Sequence, residues 1–179
     1  DVPQAVAGVW LLALTGCRLG EIEKLKRSEA DADAGCFRLQ DSKEGASVRP
    51  IGQPAFNVLS NITPRDGSDF VLTGIRNEGH YGGMPGAIER LMKAAGLHDV
   101  SAHTLRHSFA SVAGDLGFSD STIETLLGHS AGSVTSRYIH RLDAVLVAAA
   151  DKVARTIHGH MTGATGKVVQ MPGRRANPA

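Results

Sequence analysis

The chain has 179 residues, a length typical of one domain that can bury a hydrophobic core. Lysine and arginine number 19 against 18 for aspartate and glutamate. The charge balance therefore neither predicts nor excludes a polyanionic partner, and any DNA-binding surface must come from local clustering. The two cysteines are too few for a disulfide scaffold or a four-cysteine zinc site.

Three further features concern the compartment and the extent of the chain. We expect Cys17 and Cys36 to be reduced thiols of a cytoplasmic protein. The longest apolar run, residues 6–14, is far shorter than the roughly 20 residues that span a bilayer, and no signal peptide pattern precedes it. Because the chain begins with Asp1 and enters an apolar segment almost at once, we expect it to be part of a longer protein.

The N-terminal quarter of the sequence predicts two helices joined by a turn. Residues 3–14 read as a buried helix that begins near a proline and ends at Thr15-Gly16. A second helix is predicted over residues 19–26. Arg18 falls in the turn between them, and Glu21 follows it at helical spacing.

The middle of the sequence predicts a small antiparallel sheet. Residues 36–39 and 48–51 read as two strands of a hairpin, and Lys43 lies in the connection between them. A helix over residues 53–62 follows, and then a third strand over 70–72. Residues 74–86 hold five glycines and predict a surface loop.

The C-terminal half is predicted to be helical. Apolar spacing predicts helices over residues 87–95, 104–116, 120–127 and 142–157. Ser119 or Asp120 is the expected N-cap of the third of these, and Gly128 is its expected stop. The last helix has an apolar stripe made of Leu142, Val145, Leu146, Ala149, Val153 and Ile157. The fold class is therefore α+β, mainly α, with a small antiparallel β-sheet or hairpin, followed by a tail in which residues 166–171 suit one extended strand.

Five residues provide what attack on a phosphodiester needs without a metal ion: two guanidiniums, two imidazoles and one phenol. They are Arg18, His103, Arg106, His129 and Tyr138. Arginine suits the clamp because its planar fork binds two phosphate oxygens and stays protonated. Donors of this kind stabilise the charge that builds on the nonbridging oxygens in the transition state.

Each of these residues also has an ordinary structural interpretation. A lone tyrosine is usually a packing residue, and a lone arginine, histidine or hairpin lysine is usually a solvated surface group. His103 and His107, four residues apart on a helix, could form half of a zinc site. Thr104 stands where a helical zinc protease has glutamate, and no third ligand motif is nearby, so no metal is predicted.

Three segments and one tyrosine stand together in a recognisable order. They are residues 15–21, residues 103–107, residues 127–130 and Tyr138. At these positions, from about residue 10 to 141, the chain resembles the catalytic domain of the tyrosine recombinases, the family that includes phage integrases. The resemblance implies a helical catalytic domain over residues 1–160 and a tail over 161–179 that is exchanged between subunits as a strand. It also implies an N-terminal DNA-clamping domain outside this chain.

The resemblance also implies a role for each site residue. Tyr138 would be the nucleophile that forms a 3'-phosphotyrosine, and Arg18 and Arg106 would bind the phosphate. His103 would bind the phosphate or take the proton of the nucleophile, and Lys43 matches the hairpin lysine of the family, which protonates the leaving group. His129 would belong to the catalytic set. Glu21 and His107 would support the catalytic residues.

The expected partners follow from the same resemblance. They are double-stranded DNA with a specific recombination site and three further copies of the chain on paired sites, with a monomer in free solution and no cofactor or membrane. A type IB topoisomerase-like enzyme and a non-catalytic DNA-binding module are the alternatives. Five other arginines are either phosphate contacts or ordinary surface charges: Arg49, Arg65, Arg76, Arg137 and Arg141. The helix over residues 142–157 either mediates exchange or completes the core of its own domain.

Overall fold

The computed structural model describes residues 3–40, 45–74, 78–128 and 143–164. Within these ranges the chain forms seven α-helices and one three-stranded antiparallel sheet, which confirms the predicted α+β, mainly α, class. The helices are α1 (Pro3–Thr15), α2 (Leu19–Glu23), α3 (Gln53–Ser60), α4 (Met84–Ala94), α5 (Ala102–Asp115), α6 (Asp120–Leu127) and α7 (Ala144–Thr162). The strands are β1 (Ala30–Asp31), β2 (Cys36–Leu39) and β3 (Ser47–Pro50).

The first helix is the centre of the hydrophobic core. α1 contacts α3, α4, α5 and α7, and its residues Leu11, Leu12 and Leu14 are buried. Because neighbours surround this helix, its apolar residues are not confined to one stripe. Each buried leucine contributes about 1.5–3 kcal/mol relative to exposure. Gly16 ends the helix with a positive φ of 62°, and the chain then turns directly into α2.

The sheet has the strand order β1-β2-β3. β2 and β3 form the predicted hairpin, in which Phe37 pairs with Arg49 and Leu39 pairs with Ser47. Residues that pair directly across two strands share one face of the sheet. Since Phe37 is fully buried in the core, this register directs Arg49 toward the interior as well.

Two predictions near the sheet are wrong, for one shared reason. Residues 70–72 do not form a strand, because Phe70 makes only a single β-bridge, to Lys26. One long-range backbone hydrogen bond lies on each side of this bridge. The same pairing requires an extended backbone at Lys26, so α2 ends at Glu23 and not at the predicted residue 26. The third strand of the sheet is the two-residue β1 instead.

Two helix boundaries also differ from the prediction. α4 begins at Met84, within the predicted glycine-rich loop, because Pro85 in its first turn favours helix initiation and needs no backbone donor there. α5 begins at Ala102, where Ser101 accepts a hydrogen bond from the backbone N–H of Thr104. A serine cap of this kind contributes about 1 kcal/mol. It places His103 in the first turn of α5.

The boundaries of α6 agree with the prediction. Ser119 is the N-cap and accepts a hydrogen bond from the backbone N–H of Thr122. Gly128 is the C-cap, with a φ of 71° in the left-handed region that favours glycine. His129, a predicted site residue, follows Gly128 directly in the sequence.

The last helix packs on the core of its own chain. α7 contacts α1, α3 and α5, and Ala149, Val153 and Ile157 of the predicted stripe are buried. Val145 of the stripe is 70% exposed, because it lies in the first turn of α7, beyond the edge of the core. Leu142 and most of the tail lie outside the described residues. In the described ranges, no helix combines the length and the hydrophobicity needed to cross a membrane.

Candidate active site

Arg18 is held at the start of α2 by Glu21. Oε2 of Glu21 accepts the backbone N–H of Arg18 at 2.8 Å, and Oε1 accepts Nη1 of the same residue at 3.3 Å. A carboxylate in the first turn satisfies a backbone donor and interacts favourably with the helix dipole. The Arg18 side chain is 24% exposed and that of Glu21 is 4% exposed. The guanidinium is therefore anchored from the protein side and accessible from the solvent side.

Arg106 projects from α5 into the junction between two other helices. Its Nη1 donates to the Gly16 carbonyl at 2.6 Å and its Nη2 donates to the Leu127 carbonyl at 2.9 Å. These carbonyls belong to the ends of α1 and α6, so one guanidinium joins both helix ends. Burial lowers the pKa of Arg106, and the positive charge of Arg18 lowers it further.

The two histidines of α5 contact each other on its exposed side. Their Nε2 atoms are 2.8 Å apart, and the rings meet edge to face with centroids 4.2 Å apart. A hydrogen bond between two ring nitrogens requires one that bears a proton and one that lacks it. His107 therefore constrains the orientation and the tautomer of His103.

One cleft of about 800 Å³ brings three of the predicted residues together: Arg18, His103 and Arg106. The first turns of α4 and residues 98–102 form its other walls. The charge of Arg18 is close enough to lower the pKa of Arg106, so an anion bound between the two guanidiniums would offset their repulsion. The cleft therefore suits a phosphate group.

Three predicted catalytic residues lie outside the described residues: Lys43, His129 and Tyr138. Lys43 belongs to the connection between β2 and β3, and His129 follows the C-cap of α6. Their proposed roles stay predictions. Of the described residues, no group of three or more histidine, cysteine or carboxylate side chains is arranged to hold a metal ion.

Arg49 is the residue that the sequence interpretation placed wrongly. It is neither a surface charge nor a phosphate contact, since it is 2% exposed and its Nη2 donates to Glu21 Oε1 at 2.8 Å. The signal was its position in the hairpin, where the register sets it opposite the apolar residue Phe37. Arg65 donates to the carbonyl of Gly74. The other three candidates for phosphate contact, Arg76, Arg137 and Arg141, lie outside the described residues.

Cys17 lies next to Arg18 but is not a nucleophile of this site. Its side chain is 1% exposed, and it is not among the residues that line the cleft. Burial, and then the negative charge of Glu21, raise the pKa of Cys17 to about 11. The thiol is therefore protonated near neutral pH, and a neutral thiol is a weak nucleophile.

The region that contains this site matches a known family model. The model described as "Phage integrase family" matches residues 4–144, a range that includes every predicted catalytic residue. The chain belongs to the phage integrase family. This membership agrees with the resemblance that the sequence motifs indicate.

Individual relatives in the phage integrase family share part of their length with this chain. The tyrosine recombinase XerC of Syntrophus aciditrophicus (strain SB) is 28% identical over 149 residues, which cover 73% of this chain and 48% of that protein. The chain thus spans about half the length of the curated relatives it matches.

Two solved structures show the same fold. The integrase from mycobacterium phage Brujita has a TM-score of 0.71 and 21% identity, and the match covers 86% of this chain and 52% of that one. The XerH site-specific recombinase, in a pre-cleavage complex with its difH substrate, has a TM-score of 0.56 and 18% identity, with 91% and 46% covered. The helices and the small sheet that position the cleft are thus the fold of phage-integrase-family enzymes.

Proposed function

We propose that this chain is the catalytic part of a site-specific DNA recombinase, which cleaves and rejoins strands through a covalent 3'-phosphotyrosine. The observation that supports this most directly is the cleft where Arg18, His103 and Arg106 meet in a phage-integrase-family chain. The relatives support the substrate class, since XerC is named a tyrosine recombinase and XerH is described bound to a difH substrate.

The proposed reaction exchanges one phosphate ester for another. The phenol oxygen of Tyr138 attacks the scissile phosphorus, the bond from phosphorus to the 5' oxygen breaks, and a free 5'-hydroxyl leaves. Arg18 and Arg106 donate to the nonbridging oxygens, where negative charge increases. One such donor is worth about 10²–10³ in rate. Because the phosphotyrosine retains the ester bond, a 5'-hydroxyl of another strand restores the DNA without an added energy source.

Proton transfers accompany both halves of the reaction. A tyrosine phenol ordinarily has a pKa of about 10 and attacks poorly in its neutral form. His103 or His129 accepts its proton, and Lys43 donates a proton to the leaving 5' oxygen. A donor of this kind contributes about 10²–10⁴ in rate.

A trapping assay tests the proposal. The substrate is a duplex that contains the recombination site and a nick a few nucleotides beyond the scissile phosphate. Cleavage releases the short fragment that bears the 5'-hydroxyl, and its loss prevents rejoining. The wild type should give a protein-DNA adduct that survives denaturant, and Tyr138→Phe should give none while it still binds the DNA. A wild type that binds the duplex tightly yet forms no adduct would favour a non-catalytic DNA-binding module.

Two further readouts separate the remaining alternatives. Recombination of two sites on separate duplexes supports the recombinase, whereas relaxation of supercoils without recombination supports a topoisomerase-like enzyme.

The role of Lys43 is tested with a substrate that has sulfur in place of the 5' bridging oxygen, because sulfur makes a better leaving group. Lys43→Ala should slow cleavage of normal DNA and have little effect on the sulfur substrate. Equal defects on both substrates would remove the assignment of Lys43 as the acid.

The assembly is proposed from the same family pattern. We expect a monomer in free solution and four copies on paired DNA sites in the cytoplasm, with an N-terminal clamping domain in the longer protein. Exchange of the tail is tested by truncation after Ala164, which leaves α7 complete. Loss of tetramer formation on DNA supports exchange through the tail, and unchanged assembly contradicts it.

A further inference from the structure

A buried ion network connects β3 to the cleft. Oε1 of Glu21 accepts Nη2 of Arg49 at 2.8 Å and Nη1 of Arg18 at 3.3 Å. Oε2 of the same carboxylate accepts the backbone N–H of Arg18 at 2.8 Å. One carboxylate therefore interacts with two guanidiniums, one that reaches the cleft and one that is enclosed by protein.

The enclosed guanidinium also touches the last turn of α6. A Cβ added to Gly128 would overlap Nη1 and Cζ of Arg49, so the guanidinium occupies the space that a side chain at residue 128 would need. On the adjacent residue, the Leu127 carbonyl accepts a hydrogen bond from Arg106. Two arginines thus fix the end of α6 immediately before His129.

Stability does not explain a charge in this position. The Arg49 side chain is 3% exposed, and its Nε has no hydrogen-bond partner among the described residues. Removing a charge and a donor from water costs free energy, and a buried ion pair often does no more than offset that cost. Well-packed apolar residues in place of both members of the Arg49–Glu21 pair would suit the core of this hairpin equally well.

The charge of Arg49 does have an effect on Arg18. With Glu21 alone, the charge of Arg18 would be balanced and the pair would be neutral. With Arg49 included, the three side chains have a net charge of +1, so Glu21 holds Arg18 in place without cancelling its attraction for phosphate. Such interactions are strong where burial lowers the effective dielectric constant.

We propose that Arg49 is a positioning residue of the strand-cleavage reaction, which acts through Glu21 on Arg18. This inference rests on the proposed recombinase function. Arg49 has no direct contact with DNA in this account, because its guanidinium is enclosed. Its effect reaches the phosphate through the orientation and the charge of Arg18.

The test begins with three variants of the full chain. Arg49→Met removes the charge and keeps an unbranched side chain, and Arg49→Lys keeps the charge. Arg38→Met is the matched control, since Arg38 lies on the neighbouring strand β2 in an ion pair with Asp31 and its side chain is 42% exposed. For each variant we would measure the single-turnover rate of adduct formation at saturating DNA, the DNA affinity and the thermal unfolding.

The rates should separate the variants. A misplaced catalytic group costs about 100-fold in rate, and we expect a loss of this size for Arg49→Met with a change in DNA affinity of less than about threefold. Arg49→Lys should recover about tenfold of the loss, because lysine keeps the charge but not the planar fork. The Arg38→Met control should cleave at the wild-type rate.

A second substrate distinguishes positioning from a general structural defect. In a methylphosphonate, a methyl group replaces one nonbridging oxygen of the scissile phosphate and removes its negative charge. If Arg49 acts through the charge of Arg18, the wild-type to Arg49→Met rate ratio should fall below about threefold on at least one of the two diastereomers. If Arg49→Met does not fold, the same ratio is measured with Arg49→Lys.

The outcomes separate this inference from the proposed function. A ratio that stays the same on phosphate and on both methylphosphonates would overturn the positioning role and leave Arg49 as a residue of the fold. Cleavage by Arg49→Met at the wild-type rate would overturn it as well. Absence of any adduct with wild-type protein would instead overturn the proposed function.

Discussion

The arginines of the cleft and the histidine pair of α5 are held in opposite ways. Arg106 is 7% exposed and binds two backbone carbonyls, whereas His103 and His107 are exposed and contact each other through one ring-to-ring hydrogen bond. Arg18 is intermediate, because Glu21 anchors it from the buried side. The buried side of the cleft is thus rigidly built and the exposed side is not.

This difference corresponds to two kinds of chemistry. A phosphate clamp works best when its donors are oriented before the substrate arrives, since no reorganisation is then needed in the transition state. A group that transfers protons must instead be able to change its protonation state and meet the substrate. Substitutions on the two sides of the cleft should therefore differ in how far they lower stability and how far they lower the rate.

Replacement of Arg106 should have the largest effect, because it should affect both stability and chemistry. Arg106→Gln leaves the buried carbonyls of Gly16 and Leu127 without their charged donor. Each hydrogen bond to a charged group is worth about 1.5–3 kcal/mol, so we expect the free energy of unfolding to fall by about 3 kcal/mol or more. Adduct formation should fall more than about 10³-fold. Chemical denaturation and single-turnover cleavage measure the two effects.

Replacement of Arg18 should separate the two effects. In Arg18→Gln the rate of adduct formation should fall by about 10²–10³, while the free energy of unfolding should change by less than about 1 kcal/mol, because a partly exposed ion pair contributes little. A loss of stability as large as that of Arg106→Gln would contradict the distinction between an accessible and an enclosed guanidinium.

Replacement of His107 should have a smaller effect that is confined to the rate. His107→Gln removes the ring that constrains His103, and we expect cleavage to slow by about tenfold, below the loss expected when a proton-transfer group itself is removed. Because the residue is exposed, the free energy of unfolding should change by less than about 0.5 kcal/mol. Ser108→Ala, at the next and also exposed position, serves as the control and should cleave normally.

The smallest effect near neutral pH is that of Cys17, a buried group beside Arg18 that titrates only in alkaline solution. Burial raises the pKa of Cys17 from 9.0 to about 11, so between these values the folded state binds a proton that the unfolded state has released. Stability from this group is therefore complete below pH 9 and declines as the pH rises to about 11. The decline should be smaller in Cys17→Ala, as measured by denaturation at several pH values. Identical pH dependence in both proteins would show that folding does not raise the pKa of Cys17.

Much of the fold could be predicted because its signals are local. The cap at Ser119, the stop at Gly128 and the apolar residues of α1 each determine nearby backbone structure. The failures depend on distant contacts. The predicted strand at residues 70–72 was wrong because the backbone of Lys26 pairs there once and no further, and such a pairing leaves no periodic pattern in the sequence.

The candidate site shows the same division. Arg18, His103 and Arg106 could be identified from motif order, and the cleft does bring them together. Arg49 could not be assigned from its residue type, since arginine is usually exposed. Its role depends on a register that sets it against Phe37 and on a carboxylate 28 positions away.

The covalent link to Tyr138 is the most direct test of the whole account. After trapping on nicked DNA and digestion of the DNA and the protein, mass spectrometry can locate the residue that retains a nucleotide. The account predicts a nucleotide joined through its 3'-phosphate to the peptide that contains Tyr138. A nucleotide on the peptide of Tyr81, the other tyrosine of the chain and a buried one, or on no tyrosine at all, would contradict it.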